Sequence, residues 1–256
     1  MNKIIRGLIA MALIVGLGAL FPSASGAATK PNGELTVSAA ASLTDVFPVI
    51  ADAFQKRFPG TKINFNFAGS STVMNQVITG APVDVIATAS EPTMSIGVAA
   101  ALVARPLLFA KNSMTIAVPS GNPAKIKSLA DVQRGGLLLG VCDPAVPCGA
   151  AAVELFSKNN IAVTPVTREL DVRSLLGKVI SGDLDVGIVY ITDVRAAGSK
   201  VEFVEIPLKD NVGTTYPIAM VSDSKNQELA QRFVNFVRFN TTSQGILRAF
   251  GFAKPW

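Results

Sequence analysis

LTVSAAASLTDVF (residues 35–47) and INFNFAGSSTVMNQVI (residues 63–78) are two stretches with the same pattern. In each, apolar residues first alternate, as in a half-buried strand, and then recur at helical spacing after a run of small residues. Residues 83–87 (VDVIA) add another apolar strand after a turn at residues 80–82. The order β-α-β-α-β predicts the beginning of a doubly wound α/β sheet.

The second half of the chain repeats this pattern. The turn Gly-Asn-Pro at residues 121–123 indicates a passage into a second unit. We predict two α/β lobes, each a doubly wound, mostly parallel sheet: residues 28–115 plus 218–256, and residues 116–217. A ligand is expected in the cleft between them, because parallel sheets present strand ends and helix starts at one edge. Apolar spacing predicts helices at 150–158, 172–180 and 228–239 and strands at 114–118, 137–141, 163–166, 186–190, 201–206 and 216–221.

Residues 1–27 have the features of a secretory signal peptide. Lys3 and Arg6 precede an apolar run over residues 8–21 that is too short to span a bilayer, and small residues follow it. Cleavage is expected near Ala27. The tract contains no cysteine for a lipid anchor, so we expect a soluble protein that is periplasmic or secreted.

Composition argues against several classes of function. Without Lys3 and Arg6 the 23 basic residues fall to 21, against 18 acidic ones, and this balance is too mild for a nucleic-acid-binding protein. The chain contains no histidine, the usual general base and a common ligand of transition metals. We therefore expect a binding protein with no cofactor and no bound metal cation, and not an enzyme.

The two cysteines of the chain, Cys142 and Cys148, are six residues apart. In an exported protein, oxidising surroundings make a disulfide the default expectation. Pro144 and Pro147 lie between them and favour a constrained loop, but the sequence does not give the Cα separation that a bridge requires. The bridge is therefore a hypothesis, and two free thiols are its alternative.

Small hydroxyl residues stand at two of the predicted helix starts, around Ser42 and Ser70. One interpretation is helix capping alone, with Ser42 and Asp45 as a capping box. The other is an anion site, because helix N-termini present unpaired N–H groups and serine hydroxyls add donors without adding charge. Such a site favours a dianion that carries no proton, because it offers no free acceptor.

The same loops resemble those of a known family. In order and combination, the motifs are similar to those of the periplasmic molybdate-binding proteins of ABC transporters, and they span essentially the whole chain after the signal peptide. The motifs are AAASLT (39–44), FAGSST (67–72), GAPVDV (80–85), DPAVPCG (143–149), DVR (171–173), GIVYITD (187–193) and the ending FGF (250–252).

The resemblance implies a two-lobe periplasmic binding protein (type II) that captures molybdate, and tungstate as its analogue. It implies hydroxyl donors from Ser42, Ser70 and Tyr190, and backbone N–H donors near Cys148 and Val172. The family usually has alanine at the position of Cys148, which leaves the backbone donor intact and changes the loop around it. The implied partners are an ABC permease and its ATPase, and a monomer is expected.

Other interpretations stay open. The same fold could bind sulfate or phosphate, since both can use helix N-termini. A less favoured alternative is an exported hydrolase with Ser42 or Ser70 as nucleophile, for which no histidine base exists. Tyr190 could instead be a core residue whose hydroxyl reaches the surface.

The charged residues near these motifs are not interpreted as ligands. Arg173 can face solvent or pair with Asp171 or Asp193. Asp45 is interpreted as a helix cap and Asp84 as a loop anchor, because carboxylates facing a dianion would repel it.

Overall fold

The computed structural model describes residues 32–255, and the predicted signal peptide lies outside them. The described residues form nine β-strands and eight α-helices. The strands are β1 (Gly33–Ala40), β2 (Thr61–Ala68), β3 (Val85–Ala87), β4 (Val103–Pro119), β5 (Leu139–Cys142), β6 (Thr167–Glu169), β7 (Val186–Tyr190), β8 (Val201–Val204) and β9 (Gly213–Val221). The helices are α1 (Val46–Arg57), α2 (Ser70–Ile78), α3 (Glu91–Ala99), α4 (Pro147–Lys158), α5 (Val172–Ile180), α6 (Ile191–Ala197), α7 (Gln227–Phe239) and α8 (Thr241–Ala249).

The described strands belong to one continuous sheet, in the order β2-β1-β3-β9-β4-β7-β5-β6, with β8 paired to β4 beside this path. At one end, β1 pairs in parallel with β2 and β3. At the other end, β5 pairs in parallel with β6 and β7. Between them, β4 and β9 run antiparallel to their neighbours. The predicted α/β fold is confirmed, and antiparallel strands join its two parallel units.

The long strand β4 belongs to both units. Its residues 103–113 pair with β9, and its residues 114–119 pair with β7 and β8. Each unit has its own main hydrophobic core, one around Phe47 and Phe233 and the other around Ile116 and Leu175, and the first unit has a smaller cluster around Met74 as well. We call the part around the first core the first lobe and the part around the second core the second lobe. The lobe boundaries given by the sequence stay a prediction.

Helix α1 shows how the apolar spacing builds the first core. Phe47, Ile50 and Phe54 recur three to four residues apart, so they share one face of the helix and are fully buried. The Phe54 ring meets the rings of Phe233 and Phe236 edge to face, each with centroids 5.3 Å apart. Such pairs contribute about 0.5–1.5 kcal/mol beyond the burial itself. The packing fixes α1 against α7 and thereby the loop that precedes α1.

Asp84 anchors the loop before β3, as predicted. Its carboxylate accepts the N–H of Thr36 at 2.8 Å and the hydroxyl of Ser224 at 2.6 Å. The side chain is buried and its oxygens have partners, so it has a structural role in holding β1 and β3 to the start of α7.

The prediction of a strand at residues 163–166 is wrong. That segment is irregular, and the strand that pairs with β5 begins one residue later, with Thr167 opposite Gly140. Pro165 has no N–H to donate to a ladder, which explains why the apolar residues around it do not extend the strand.

Three helices and part of one strand were not predicted: α3, α6, α8 and residues 103–113 of β4. Two of the helices carry local start signals. Ser90 accepts the N–H of Thr93 at 3.3 Å, with Pro92 in the first turn of α3, and Asn240 accepts the N–H of Thr242 at 2.9 Å at the start of α8. Caps of this kind identify a helix start even where the apolar spacing is weak.

Candidate functional site

Strand ends from both lobes meet at one cavity. In the first lobe, β1 and β2 run in parallel and their C-terminal ends lead into the serine loops. In the second lobe, β5, β6 and β7 run in parallel and lead into the starts of α4, α5 and α6. The structure brings all five residues named from the sequence around this cavity, while their contact with a ligand stays a prediction: Ser42, Ser70, Cys148, Val172 and Tyr190.

The cavity is small, with a volume of about 20 Å³. On this scale a single water molecule needs roughly 10–15 Å³, so the volume of the cavity suits a small ion better than a sugar or a peptide. The rest of its lining is mostly small or apolar: Ala40, Ala41, Gly69, Ala89, Val146, Pro147, Leu170 and Asp171.

The two serines from the first lobe are buried, and each has a hydrogen-bond partner. The partner of Ser70 is Ala89, which lines the cavity, and the partner of Ser42 is Tyr216, which does not. Ser70 Oγ accepts the N–H of Ala89 at 2.9 Å, so its own proton is available to an acceptor in the cavity. Ser42 Oγ lies 2.9 Å from the hydroxyl oxygen of Tyr216. Sequence reasoning missed Ala89 and Tyr216. Tyr216 is 174 residues from Ser42 along the chain, and no local pattern indicates such a contact.

The capping-box interpretation of Ser42 and Asp45 is wrong. Ser42 lies in a short 3-10 turn, Ala41–Leu43, and α1 begins only at Val46 without a side-chain cap. The carboxylate of Asp45 instead accepts a hydrogen bond from the guanidinium of Arg173 at 2.8 Å. An ion pair across the lobes therefore replaces the expected cap.

The start of α5 offers the N–H of Val172 to the cavity. The side chain of Asp171 caps this helix, with one oxygen accepting the N–H of Arg173 at 2.8 Å and of Ser174 at 2.9 Å. Among the hydrogen bonds of residues 32–255, none engages the N–H of Val172. The positive end of the helix dipole lies at the same place, so this helix start favours an anion.

The start of α4 is held by the predicted disulfide. Cys142 and Cys148 are bonded, with Cα atoms 5.6 Å apart, and this confirms the hypothesis from the sequence. The bridge joins the end of β5 to the first turn of α4. A Cβ atom at Gly149 would lie 1.9 Å from the carbonyl oxygen of Asp143, so the loop packs where only glycine fits. The backbone around Cys148 is therefore fixed in place before any ligand arrives.

Tyr190 ends β7 and has an unusual hydroxyl. It is only 1% exposed, so the alternative of a core tyrosine with its hydroxyl at the surface is wrong. Within the described part of the chain this hydroxyl has no hydrogen-bond partner. Burial raises the pKa of Tyr190 well above its ordinary value, so the hydroxyl keeps its proton. A buried donor without an acceptor is uncommon, and a ligand in the cavity would supply the acceptor.

The carboxylates near the cavity share one cation, Arg173. Arg173 pairs with Asp45 at 2.8 Å and lies 3.9 Å from Asp193, while Asp171 is engaged in capping α5. Burial raises the pKa of Asp193 to about 7, an effect that the nearby Arg173 opposes. Arg173 is not part of the cavity lining.

The lobes touch each other beside the cavity. The hydroxyl of Ser71 in the first lobe donates to the carbonyl oxygen of Ala145 in the second at 2.8 Å. A Cβ atom at Gly69 would lie 2.3 Å from the carbonyl oxygen of Leu170, so the lobes approach as closely as backbones allow. Together with the ion pair across the lobes, these contacts describe a closed arrangement.

The chemistry of the cavity suits an anion and not a cation. Across residues 32–255, no three Cys, Asp or Glu side chains are grouped so that they could hold a metal ion. The free polar groups that the cavity offers are hydroxyl and N–H donors.

Among residues 32–255, no helix combines the length and apolar character needed to cross a membrane.

The bacterial extracellular solute-binding protein family matches residues 35–253. The chain belongs to this family. The solute-binding protein is 40% identical to the molybdate-binding protein ModA of Mycobacterium tuberculosis, over 97% of each chain. The periplasmic molybdate-binding protein of Azotobacter vinelandii matches its structure with a TM-score of 0.78 at 16% identity, over 87% of this chain and 100% of that one.

A second solved structure shows that the fold alone does not identify the ligand. The sulfate-binding protein SubI of Mycobacterium tuberculosis matches this solute-binding protein with a TM-score of 0.78 at 20% identity, over 88% of each chain. The same two-lobe α/β fold is thus found in proteins named for two different oxyanions. The choice of ligand has to be argued from the residues of the cavity.

Proposed function

We propose that this solute-binding protein binds molybdate, and its analogue tungstate, in the cavity between its lobes and delivers it to an ABC importer. The observation that carries the proposal is the set of hydrogen-bond donors around the cavity, above all the buried hydroxyl of Tyr190, which has no acceptor among the described residues. The 40% identity to a relative named for molybdate supports the choice of ligand.

The donor set matches a tetrahedral dianion. The first lobe contributes the hydroxyls of Ser42 and Ser70, and the second lobe contributes the hydroxyl of Tyr190 and the N–H groups of Cys148 and Val172. Hydrogen bonds to a charged group contribute about 1.5–3 kcal/mol each. Oriented dipoles thereby replace the water that the anion loses, and no positively charged side chain is needed.

The cavity disfavours phosphate, which carries a proton near neutral pH and therefore needs an acceptor. Asp171 supplies the one carboxylate of the cavity lining. One of its oxygens accepts the N–H of Arg173 and of Ser174, and the other accepts the hydroxyl of Ser174 at 2.9 Å. Sulfate carries no proton, so the size of the anion decides between sulfate and molybdate.

We propose a binding protein and not a hydrolase. A nucleophilic serine needs a base that takes its proton. The partner of Ser70 is the N–H of Ala89, which cannot accept a proton, and the partner of Ser42 is the hydroxyl of Tyr216. Burial raises the pKa of Tyr216, so that phenol stays protonated and cannot act as a base.

The proposal includes export and delivery. Residues 1–27 direct export and are removed, and the protein acts as a monomer in the periplasm or outside the cell, without nucleic acid. Two lobes, residues 28–115 plus 218–256 and residues 116–217, close over the anion about the shared strand β4 and the segment that leads into β9. The closed form is what the permease and its ATPase receive.

Isothermal titration of residues 28–256 with molybdate, tungstate, sulfate and phosphate tests the proposal. Tight one-to-one binding of molybdate and tungstate, with weak or no binding of the other two, is the expected result. Binding of sulfate or phosphate alone would keep the anion cavity and overturn the ligand. Binding of none of the four would reject the proposed function.

A further inference from the structure

A chain of hydrogen bonds stands behind Ser42, outside the cavity. Ser42 Oγ lies 2.9 Å from Tyr216 Oη. Asn112 Nδ2 donates to Tyr216 Oη at 3.3 Å and to Thr192 Oγ1 at 2.7 Å. The four side chains are buried, and Tyr216 does not line the cavity. These hydrogen bonds connect Ser42 in the first lobe, through β9 and β4, to α6 of the second lobe.

The side-chain amide of Asn112 determines which group donates in each of these hydrogen bonds. Its Oδ1 accepts the N–H of Ser113 at 3.0 Å, so its NH2 group faces Tyr216. An amide nitrogen only donates, and Tyr216 Oη therefore accepts from it. The proton of the phenol is then left with Ser42 Oγ as its acceptor. The reverse order would leave a buried phenol proton unpaired, which costs free energy.

We propose that Tyr216, oriented by Asn112, is a positioning residue that makes the Ser42 hydroxyl a donor toward the bound anion. Because Ser42 Oγ accepts from Tyr216, its own proton is free for the cavity, and hydrogen bonds in a chain strengthen one another. Ser70 is arranged in the same way, with the N–H of Ala89 in the place of the phenol. This inference rests on the proposed function, since it requires the anion to lie in this cavity.

The ring of Tyr216 is fixed independently of its hydroxyl. It packs edge to face against Phe109 and Phe252, with centroids 6.1 and 5.4 Å apart, and against Tyr190 at 6.2 Å. Tyr216→Phe keeps these contacts and removes only the oxygen. Asn112 keeps Thr192 as a partner in that variant, so the change tests the hydroxyl and not the packing.

A double-mutant cycle separates positioning from a general structural effect. Molybdate affinity is measured by titration for the wild type, Tyr216→Phe, Ser42→Ala and the double variant. Tyr216→Phe should weaken binding about fivefold in the wild-type background and by less than about twofold in the Ser42→Ala background. Tyr190→Phe is the matched control, because its hydroxyl is proposed to reach the anion directly and should keep most of its effect in both backgrounds.

The outcomes distinguish this inference from the proposed function. Tyr216→Phe with wild-type affinity, or with the same loss when Ser42 is already alanine, overturns the positioning role alone. Ser42→Ala with wild-type affinity overturns the proposed site and the inference together. If Tyr216→Phe does not fold, as judged by circular dichroism, Asn112→Ala takes its place in the cycle, with a smaller loss of affinity expected only when Ser42 is present.

Discussion

The two faces of the cavity present their donors by different means. The first-lobe face has the side-chain hydroxyls of Ser42 and Ser70, each 2.9 Å from a group that can donate to it. The second-lobe face uses main-chain N–H groups at Cys148 and Val172, held by a disulfide and by an aspartate cap, with the hydroxyl of Tyr190 beside them. Neither face places a cation in the cavity lining.

The difference determines how each face can be altered. A hydroxyl donor is removed by one substitution, and its loss falls directly on the bound anion. A backbone donor survives any change of its own side chain and responds only when the shape of its loop changes. Substitutions on the first-lobe face should therefore have larger effects on affinity than changes to the supports of the second-lobe face.

The largest effects are expected for Ser42→Ala and Ser70→Ala. Each removes a donor to a buried charge, which costs about 1.5–3 kcal/mol, or about tenfold or more in affinity for molybdate. Titration calorimetry measures the loss, and Ser199→Ala, at an exposed serine, is the matched control. Wild-type affinity in both cavity variants would remove the first-lobe face from the site.

Tyr190→Phe should weaken molybdate binding by about tenfold and leave the free protein at least as stable as the wild type. The reason is that the hydroxyl has no partner in the described part of the chain, so its loss breaks no hydrogen bond there. Titration and thermal unfolding of the unliganded protein measure the two effects. Lower stability together with unchanged affinity would mean that the hydroxyl has a structural role.

Reduction of the disulfide should weaken binding by a smaller factor, about threefold, because the loop before Cys148 must then be ordered when the anion binds. The free energy of unfolding should fall by roughly 2 kcal/mol, as expected for so short a closed loop. Titration and denaturant unfolding with and without a reductant measure both quantities. Equal affinity in the two states would show that packing at Gly149 alone holds the loop.

The smallest effect on affinity is expected for Asp193→Asn, measured at about pH 6. The pKa of Asp193 rises from 3.8 to about 7 on folding, so between these values the folded protein holds a proton that the unfolded chain releases. This contribution to stability is complete below about pH 4 and is lost as the pH rises through about 7. Asp193→Asn lacks this contribution. As the pH rises from about 4 to about 7, the free energy of unfolding of the variant should therefore increase relative to that of the wild type, by up to about 1.4 kcal/mol per pH unit.

Denaturant unfolding at several pH values measures this difference. A constant difference between Asp193→Asn and the wild type would show that the carboxyl titrates normally in the folded protein. Affinity at about pH 6 that falls as far as in the serine variants would place Asp193 in contact with the anion.

Local patterns were enough to predict most of the fold. The helix at residues 172–180 and the strand at residues 186–190 have the predicted bounds, because apolar spacing is a property of neighbouring residues. The serine loops could be placed at strand ends for the same reason. Helix α3 was missed because its apolar residues do not share one face, and α6 was missed because it has only seven residues. Helix α8 does have an apolar face and an Asn240 cap, so its sequence carried signals that could have predicted it.

Contacts between distant residues could not be predicted. Ser42 and Tyr216 are 174 residues apart, and Asp45 and Arg173 are 128 residues apart. The first contact depends on how β9 packs within the first lobe and the second on how the two lobes come together, and no periodicity in the sequence encodes either. The motifs therefore indicated which loops form the cavity, and the structure was needed to show what supports each loop.

The most direct test of the central claim is a crystal structure of residues 28–256 with molybdate, with the metal located by its anomalous scattering. The account predicts one peak in the cavity, with its oxygens within hydrogen-bond distance of Ser42 Oγ, Ser70 Oγ, Tyr190 Oη and the N–H of Val172. A peak elsewhere, or contacts from one lobe only, would contradict it.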